Sequence, residues 1–368
     1  MIGNVLTTQA LDLDLVDKLQ TLAPFSYLNP LDFVELVAGT PLEHANTGEV
    51  LIIQGQRDQD YFVLLAGELE VSRSWVDKDG EQQATIAYVS PNTGIGEMAI
   101  LDNLPRSASV RAIQPSIYIR ISGNKMDELL ARSQQFAAHL RADAHARRRM
   151  TTARQALSLR NLPFHQFIAV YQKMQSRTVA EGEQILTQGE KGDFYYVIEE
   201  GQAEVWRTDP LTDESACVAL LGPSDGVGEE ALLLEGLRNA TVRMITPGKL
   251  LYIDKRTFDT ALRAGKVSEI NPREATRMVD SGEAVWLDCR YEMEYLEAHI
   301  PGAKPLALDK IREQGAVLDP KKTYIVYCRT GRRSACAVFL LAERGIPALS
   351  LTGGLSNWPF ALERQKTR

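Results

Sequence analysis

The chain has 368 residues, too many for one ordinary domain at a prior of roughly 150 residues each, and three domains are expected. A hydrophobic content of 44% with 24% charged residues excludes a disordered chain, and the net charge of −7 argues against bulk affinity for nucleic acid, so no DNA partner is expected. The longest uncharged apolar run, Ala335 to Ala342, is too short to span a membrane, and Met1 to Leu22, with Asp12, Asp14 and Asp17, lacks a signal-peptide pattern.

The four cysteines, Cys217, Cys289, Cys328 and Cys336, form no CxxC pair and suit a reducing compartment, so a cytoplasmic protein is expected. From Leu11 to Ala38 apolar residues recur at helical spacing around Pro24 and Pro30, predicting short helices. From Gly48 to Ile121 the texture turns to short β-rich runs: 50–53, 61–65, 69–71, 85–89 and 116–121. Gly55, Gly67, Asp79-Gly80 and Pro91-Asn92 punctuate them, as in a compact all-β barrel or roll. Lys125 to Leu159 is proline-free and rich in Ala, Arg, Leu and Gln, predicting a helix that leads out of the roll. Its Arg147-Arg148-Arg149 run is expected to be a solvated face.

Within the roll, Gly94 to Arg111 has the makings of a sugar-phosphate cradle. A glycine pair leads into a short apolar, helix-competent run, and Arg106 follows Glu97 by nine positions within a turn marked by Asp102, Asn103 and Pro105. Free amides at a helix start and an arginine welcome a phosphate, whereas Glu97 suits a sugar hydroxyl.

The pattern then repeats. Gly48-Glu49, Gly55, Tyr61-Phe62 and Gly67 return 134 positions later as Gly182-Glu183, Gly189, Tyr195-Tyr196 and Gly201. Gly96-Glu97 and Arg106 return as Gly228-Glu229 and Arg238 at an offset of 132, a net loss of two residues in the intervening loop.

Both halves resemble cyclic nucleotide-binding domains, the β-rolls of catabolite activator proteins, cyclic nucleotide-dependent kinases and gated channels, over about 25–132 and 162–263. The resemblance implies that Glu97 accepts the ribose 2′-hydroxyl, that Arg106 pairs with the cyclic phosphate and that Gly96 allows close backbone approach. Met98, Ala99, Ser107 and Ala108 complete the first cradle. The residue after the arginine influences the choice of base in this family; cAMP is expected, and the Ser107 hydroxyl leaves cGMP open. The second set is Gly228, Glu229, Glu230, Ala231, Arg238, Asn239 and Ala240. Glu230 adds an acid there, Leu237 replaces the proline and Asn239 the small residue after the arginine, so two readings stand: a weaker site, or a structural copy in which Arg238 pairs with Glu229 or Glu230.

From Ser268 onward strands (284–288, 323–327, 348–351) alternate with helices (271–281, 334–344), predicting a small parallel α/β domain. An apolar strand ends at Cys328, and the loop Arg329, Thr330, Gly331, Arg332 and Arg333 starts a helix. Amides and three arginines are expected to favour the thiolate, while Cys217, Cys289 and Cys336 are expected to be small buried hydrophobes. This segment resembles a rhodanese domain, on Leu287-Asp288-Cys289-Arg290, Glu294-Tyr295, His299-Ile300-Pro301-Gly302-Ala303, the Cys328 loop and Gly353 to Trp358. The resemblance implies that Cys328 takes sulfane sulfur from an anionic donor such as thiosulfate and passes it to an unknown thiol or protein acceptor, with no catalytic cofactor or metal and with His299 and Asp288 in the scaffold. A cysteine phosphatase is disfavoured, because Ser334 stands where that class needs an arginine, six positions after the cysteine.

The expected architecture is two β-roll, jelly-roll-like domains with flanking helices (11–132 and 161–265, joined by a helical linker 133–160), then an α/β rhodanese-like domain with a central parallel sheet (268–368). The expected function is sulfur transfer regulated by cyclic nucleotide, in a protein that has no membrane contact and can form a homodimer. The alternative is a non-enzymatic adaptor that senses persulfide or oxidant.

Overall fold

Alternating apolar residues in short strands fold the first half of the chain into two facing antiparallel sheets. In this computed structural model, which describes residues 13–38, 40–77, 80–208 and 212–364, one sheet runs in the order Leu42–Ala45, Ser116–Ile121, Tyr61–Ala66, Thr93–Ile95. The other runs Val50–Ile52, Ser109–Ala112, Leu69–Asp77, Gly80–Val89. Ile52, Leu64, Leu69 and Val110 meet between them, and Phe25, Phe33, Leu129 and Phe136 pack helices onto Tyr61 and Ile119. The Leu11 end of the first helical stretch and Asp79 of the expected Asp79-Gly80 turn lie outside the described residues.

Two expectations need correction. Leu69–Asp77 and Gly80–Val89 are much longer than the apolar runs 69–71 and 85–89, because Ser72, Ser74, Gln82 and Gln83 continue the pairing with polar side chains. The single helix expected over 125–159 is three: Gly123–Arg132, Gln134–Gln155 and Leu157–Arg160. Ser133 makes the first break by accepting a hydrogen bond from the Phe136 amide on its hydroxyl, a local capping bond that competes with helix continuation. Ala156, extended at ψ 134°, makes the second.

The chain divides into two compact units at Thr151–Thr152. The second unit holds the repeated roll and the α/β segment. Its roll has the sheets Gln184–Leu186, Thr241–Met244, Ala203–Thr208, Ser215–Leu221 and Gly226–Val227, Phe194–Glu200, Gly248–Asp254, Gln175–Val179, closed over Val179, Ile198, Val242 and Leu250. The α/β segment has a five-stranded parallel sheet, in the order Glu269–Ile270, Ala348–Leu351, Thr323–Tyr327, Ala284–Asp288, Lys304–Pro305. Its central strand, Thr-Tyr-Ile-Val-Tyr, is apolar nearly throughout, as expected where both faces are covered. Observed helices Pro272–Asp280 and Arg332–Glu343 lie within two residues of the expected spans.

Candidate nucleotide cassettes and cysteine loop

The first cassette is set by a backbone that only glycine adopts comfortably. Gly96 has φ 99° and precedes the helix Glu97–Asp102, and a Cβ there would sit 2.7 Å from the Asp60 carbonyl and 2.8 Å from Arg106 Nη1. The close approach lets Arg106 Nη1 donate to the Gly96 carbonyl (3.1 Å) while Nη2 donates to the Asp60 carbonyl (2.7 Å). Asp58 accepts from Arg106 Nε at 2.9 Å, and that hydrogen bond holds its carboxyl below the usual range.

Glu97 is 2% exposed, and burial pushes its pKa up against the opposing pull of Arg147. Arg147 Nη1 donates to Glu97 Oε2 (2.6 Å) and Nη2 to the Gly94 carbonyl (2.7 Å), whereas Glu97 Oε1 is buried without a hydrogen-bond partner. Arg148 is exposed, as expected of a solvated face, and pairs with Asp102, whereas Arg147 is instead committed to the cassette. Gly96, Glu97, Met98, Ala99, Arg106, Ser107 and Ala108 all border one cavity of about 220 Å³. Arg73 also lines it, with its Nε buried and unpartnered. Sequence reasoning missed Arg73; the available signal was its place in the inward alternation Leu69, Val71, Arg73.

The second cassette repeats the backbone. Gly228 has φ 94° and precedes the helix Glu229–Leu234; Arg238, 6% exposed, donates to the Gly228 carbonyl (2.8 Å) and the Phe194 carbonyl (2.9 Å). Ala231 and Ala240 are buried and Asn239 is exposed, its amide donating to Glu230. The structural-copy reading had Arg238 paired with Glu229 or Glu230, and that is not the arrangement. Both acids are held by Arg312 of the α/β segment, which pairs with Glu229 Oε1 and places Nε 3.1 Å from Glu230 Oε1. Glu229 is 5% exposed and its Oε2 is buried without a partner.

Cys328 directly follows the central strand Thr323–Tyr327, and Gly331, at φ 92°, turns the chain into the helix Arg332–Glu343. The Gly331 amide donates to Cys328 Sγ at 3.1 Å. The thiol is pulled down to about 5, first by the Cys289 thiol and then by Ser334 and Thr330, against the opposing effect of burial. Of the three arginines expected to do this, Arg329 and Arg332 are exposed, while Arg333, bound to Glu294 through bonds of 2.6 and 2.7 Å, also interacts electrostatically with Cys328. Cys289 is buried as expected, burial pushes its own thiol up, and its Sγ donates to the Tyr327 carbonyl at 3.2 Å next to Cys328. It follows the strand Ala284–Asp288, which pairs in parallel with the Cys328 strand so that Asp288 faces Tyr327. Cys336 is buried as expected, but Cys217 is exposed. Asp288 is bound to Arg290, and His299 to the Tyr295 carbonyl at 2.8 Å.

Comparison with known proteins matches three segments of the chain to two domain families. Residues 42–133 and 176–264 match the model of the cyclic nucleotide-binding domain, and 271–360 that of the rhodanese-like domain. The chain is 29% identical over 223 residues to a cAMP-dependent protein kinase regulatory subunit of Yarrowia lipolytica, covering 59% of this chain and 52% of the relative. It is 28% identical over 226 residues to the cGMP-dependent protein kinase egl-4 of Caenorhabditis briggsae, covering 61% and 28% respectively. The chain thus spans about half the length, or less, of these relatives. A solved structure, the regulatory domain of Toxoplasma gondii PKA with cAMP, is 19% identical at a TM-score of 0.32, covering 74% of this chain and 98% of that one. Among the described residues no helix is long and apolar enough to cross a membrane.

Proposed function

For a chain that carries two cyclic nucleotide-binding domains followed by a rhodanese-like domain, we propose sulfur transfer at Cys328 under the control of cyclic nucleotide, cAMP in the first instance. The observation that carries the chemistry is the Gly331 amide 3.1 Å from Cys328 Sγ, in a loop that opens a helix and so stabilises negative charge on sulfur.

The Cys328 thiolate attacks the sulfane sulfur of thiosulfate; the Cys–S–S⁻ bond forms and sulfite leaves with the electron pair of the broken S–S bond. A nucleophilic acceptor, cyanide or a thiolate, then attacks the terminal sulfur and returns Cys328 as thiolate. The loop amides hold the charged sulfur in both forms. Intact mass after incubation with thiosulfate is expected to rise by one sulfur atom, with no rise in Cys328→Ser; an unchanged mass in the wild type refutes the proposal.

On the input side, the cavity bordered by Glu97 and Arg106 supports nucleotide binding at the first cassette. Its unpartnered Glu97 Oε1 is available to a ribose 2′-hydroxyl, and Arg106 to the phosphate. Control of Cys328 requires that the ligand bind two arrangements of the chain unequally. A second reading, an adaptor that senses persulfide or oxidant, draws on Cys289, which follows the strand paired with the Cys328 strand and whose Sγ donates to the Tyr327 carbonyl. Steady turnover of thiosulfate and cyanide separates it from an enzyme.

A further inference from the structure

The acid of each cassette is held in the same unusual way. Glu97 and Glu229 are 2% and 5% exposed, each gives one oxygen to an arginine, and each keeps its second oxygen buried and unpartnered. A buried carboxylate oxygen without a donor is costly, and a ligand hydroxyl is the group that relieves it. In the first cassette the arginine is Arg147, on the helix that follows the same roll. In the second it is Arg312, from the short helix Ile311–Gln314 of the rhodanese-like domain.

We propose that the rhodanese-like domain completes the second cassette as a site for a 3′,5′-cyclic nucleotide, with Arg312 positioning Glu229 for the ribose 2′-hydroxyl as Arg147 positions Glu97. The proposal rests on the reading of the cassettes as cyclic nucleotide sites. On the phosphate side Arg238 hydrogen-bonds the Gly228 and Phe194 carbonyls with Asp193 and Glu190 as acidic neighbours, and where the first repeat has Asp58 bonded directly to its arginine the second has Gly192. Arg312 is itself anchored, since Arg344 Nη2 donates to its carbonyl at 2.7 Å.

The helix Arg332–Glu343, which begins in the Cys328 loop, packs on the cassette helix Glu229–Leu234, and Phe339 meets Phe258 with ring centroids 5.5 Å apart. Nucleotide at Glu229 and docking of the catalytic domain therefore favour each other, because linkage is reciprocal. The second cassette links ligand binding to the element that carries the cysteine loop.

The test is calorimetric titration of the full chain in an Arg106→Ala background, so that only the second cassette is read. One equivalent of cAMP is expected to bind, about tenfold or more weakly after Arg312→Ala, with partial recovery in Arg312→Lys. With 2′-deoxy-cAMP, which offers Glu229 no hydroxyl, Arg312→Ala is expected to change affinity by less than about twofold, a distinction that a merely structural role would not produce. Equal losses for both nucleotides, unchanged or tighter cAMP binding, or no binding in the Arg106→Ala background overturns the proposal. If Arg312→Ala does not fold, the same comparison is made with Arg312→Lys, where a loss confined to cAMP supports the proposal and any other result overturns it. Failure of the underlying reading is distinguishable: it shows as absence of cAMP binding in Arg238→Ala, which retains the first cassette.

Discussion

The two cassettes share a backbone and differ in who supplies the charges around it. Gly96 and Gly228 adopt φ 99° and 94°, and Asn103 and Glu235 end the two short helices at φ 51° in both. Arg106 is partly neutralised by Asp58, whereas Arg238 has glycine at the equivalent position. Glu97 is held by an arginine of its own roll's following helix, Glu229 by one from another domain. Duplication thus repeats the backbone frame, while the side chains around it come from the same roll in one copy and from another domain in the other.

The largest expected effect comes from breaking the phosphate contact. Arg106→Ala is expected to weaken cAMP binding at the first cassette by about a hundredfold or more, since charge-assisted hydrogen bonds contribute roughly 1.5–3 kcal/mol each. Calorimetry on an Arg238→Ala background reads this cassette separately. Unchanged affinity there removes Arg106 from the site.

A smaller effect tests the acid's internal partner. Arg147→Ala leaves the buried Glu97 carboxylate without its donor; because the arginine side chain is 34% exposed, the loss is discounted to about 1–2 kcal/mol of stability. Urea unfolding should show it as a lower midpoint. An unaltered midpoint would mean that the pair contributes little beyond positioning.

The legible part of this molecule was the local part. Glycine punctuation, the acid-to-arginine spacing and the strand that ends at Cys328 are set by neighbours in sequence, and the repeat offset carried the duplication. Arg147, Arg312 and Cys289 reach their sites across long separations: Glu97 and Arg147 are 50 positions apart, Glu230 and Arg312 are 82 apart. No local pattern marks such pairs; they exist only once the rolls and sheet have closed. Cys289 came nearest to being legible, since two strands each ending one residue before a cysteine place both cysteines at the C-terminal end of the sheet when they pair in parallel. The polar extensions of the strands begun at 69–71 and ended at 85–89 were missed because their pairing does not depend on an apolar face.

The smallest expected effect concerns that neighbouring thiol, which acts on Cys328 from a distant position as Arg147 and Arg312 act on their acids. With its pKa lowered to about 5, Cys328 is thiolate at neutral pH, and its alkylation rate should fall as pH drops through about 5. Cys289→Ala removes the neighbouring thiol whose influence favours the Cys328 thiolate most, so the midpoint of that rate profile should move upward. A midpoint that stays in place would assign the effect to Ser334 and the loop amides alone.

The measurement that bears most directly on the whole account is steady-state thiocyanate formation from thiosulfate and cyanide, with and without cAMP, in the wild type and in Arg106→Ala/Arg238→Ala. Turnover is expected in both proteins, with a rate that responds to cAMP only in the wild type. Turnover indifferent to cAMP in the wild type, or no turnover from folded protein with Cys328 intact, would contradict it.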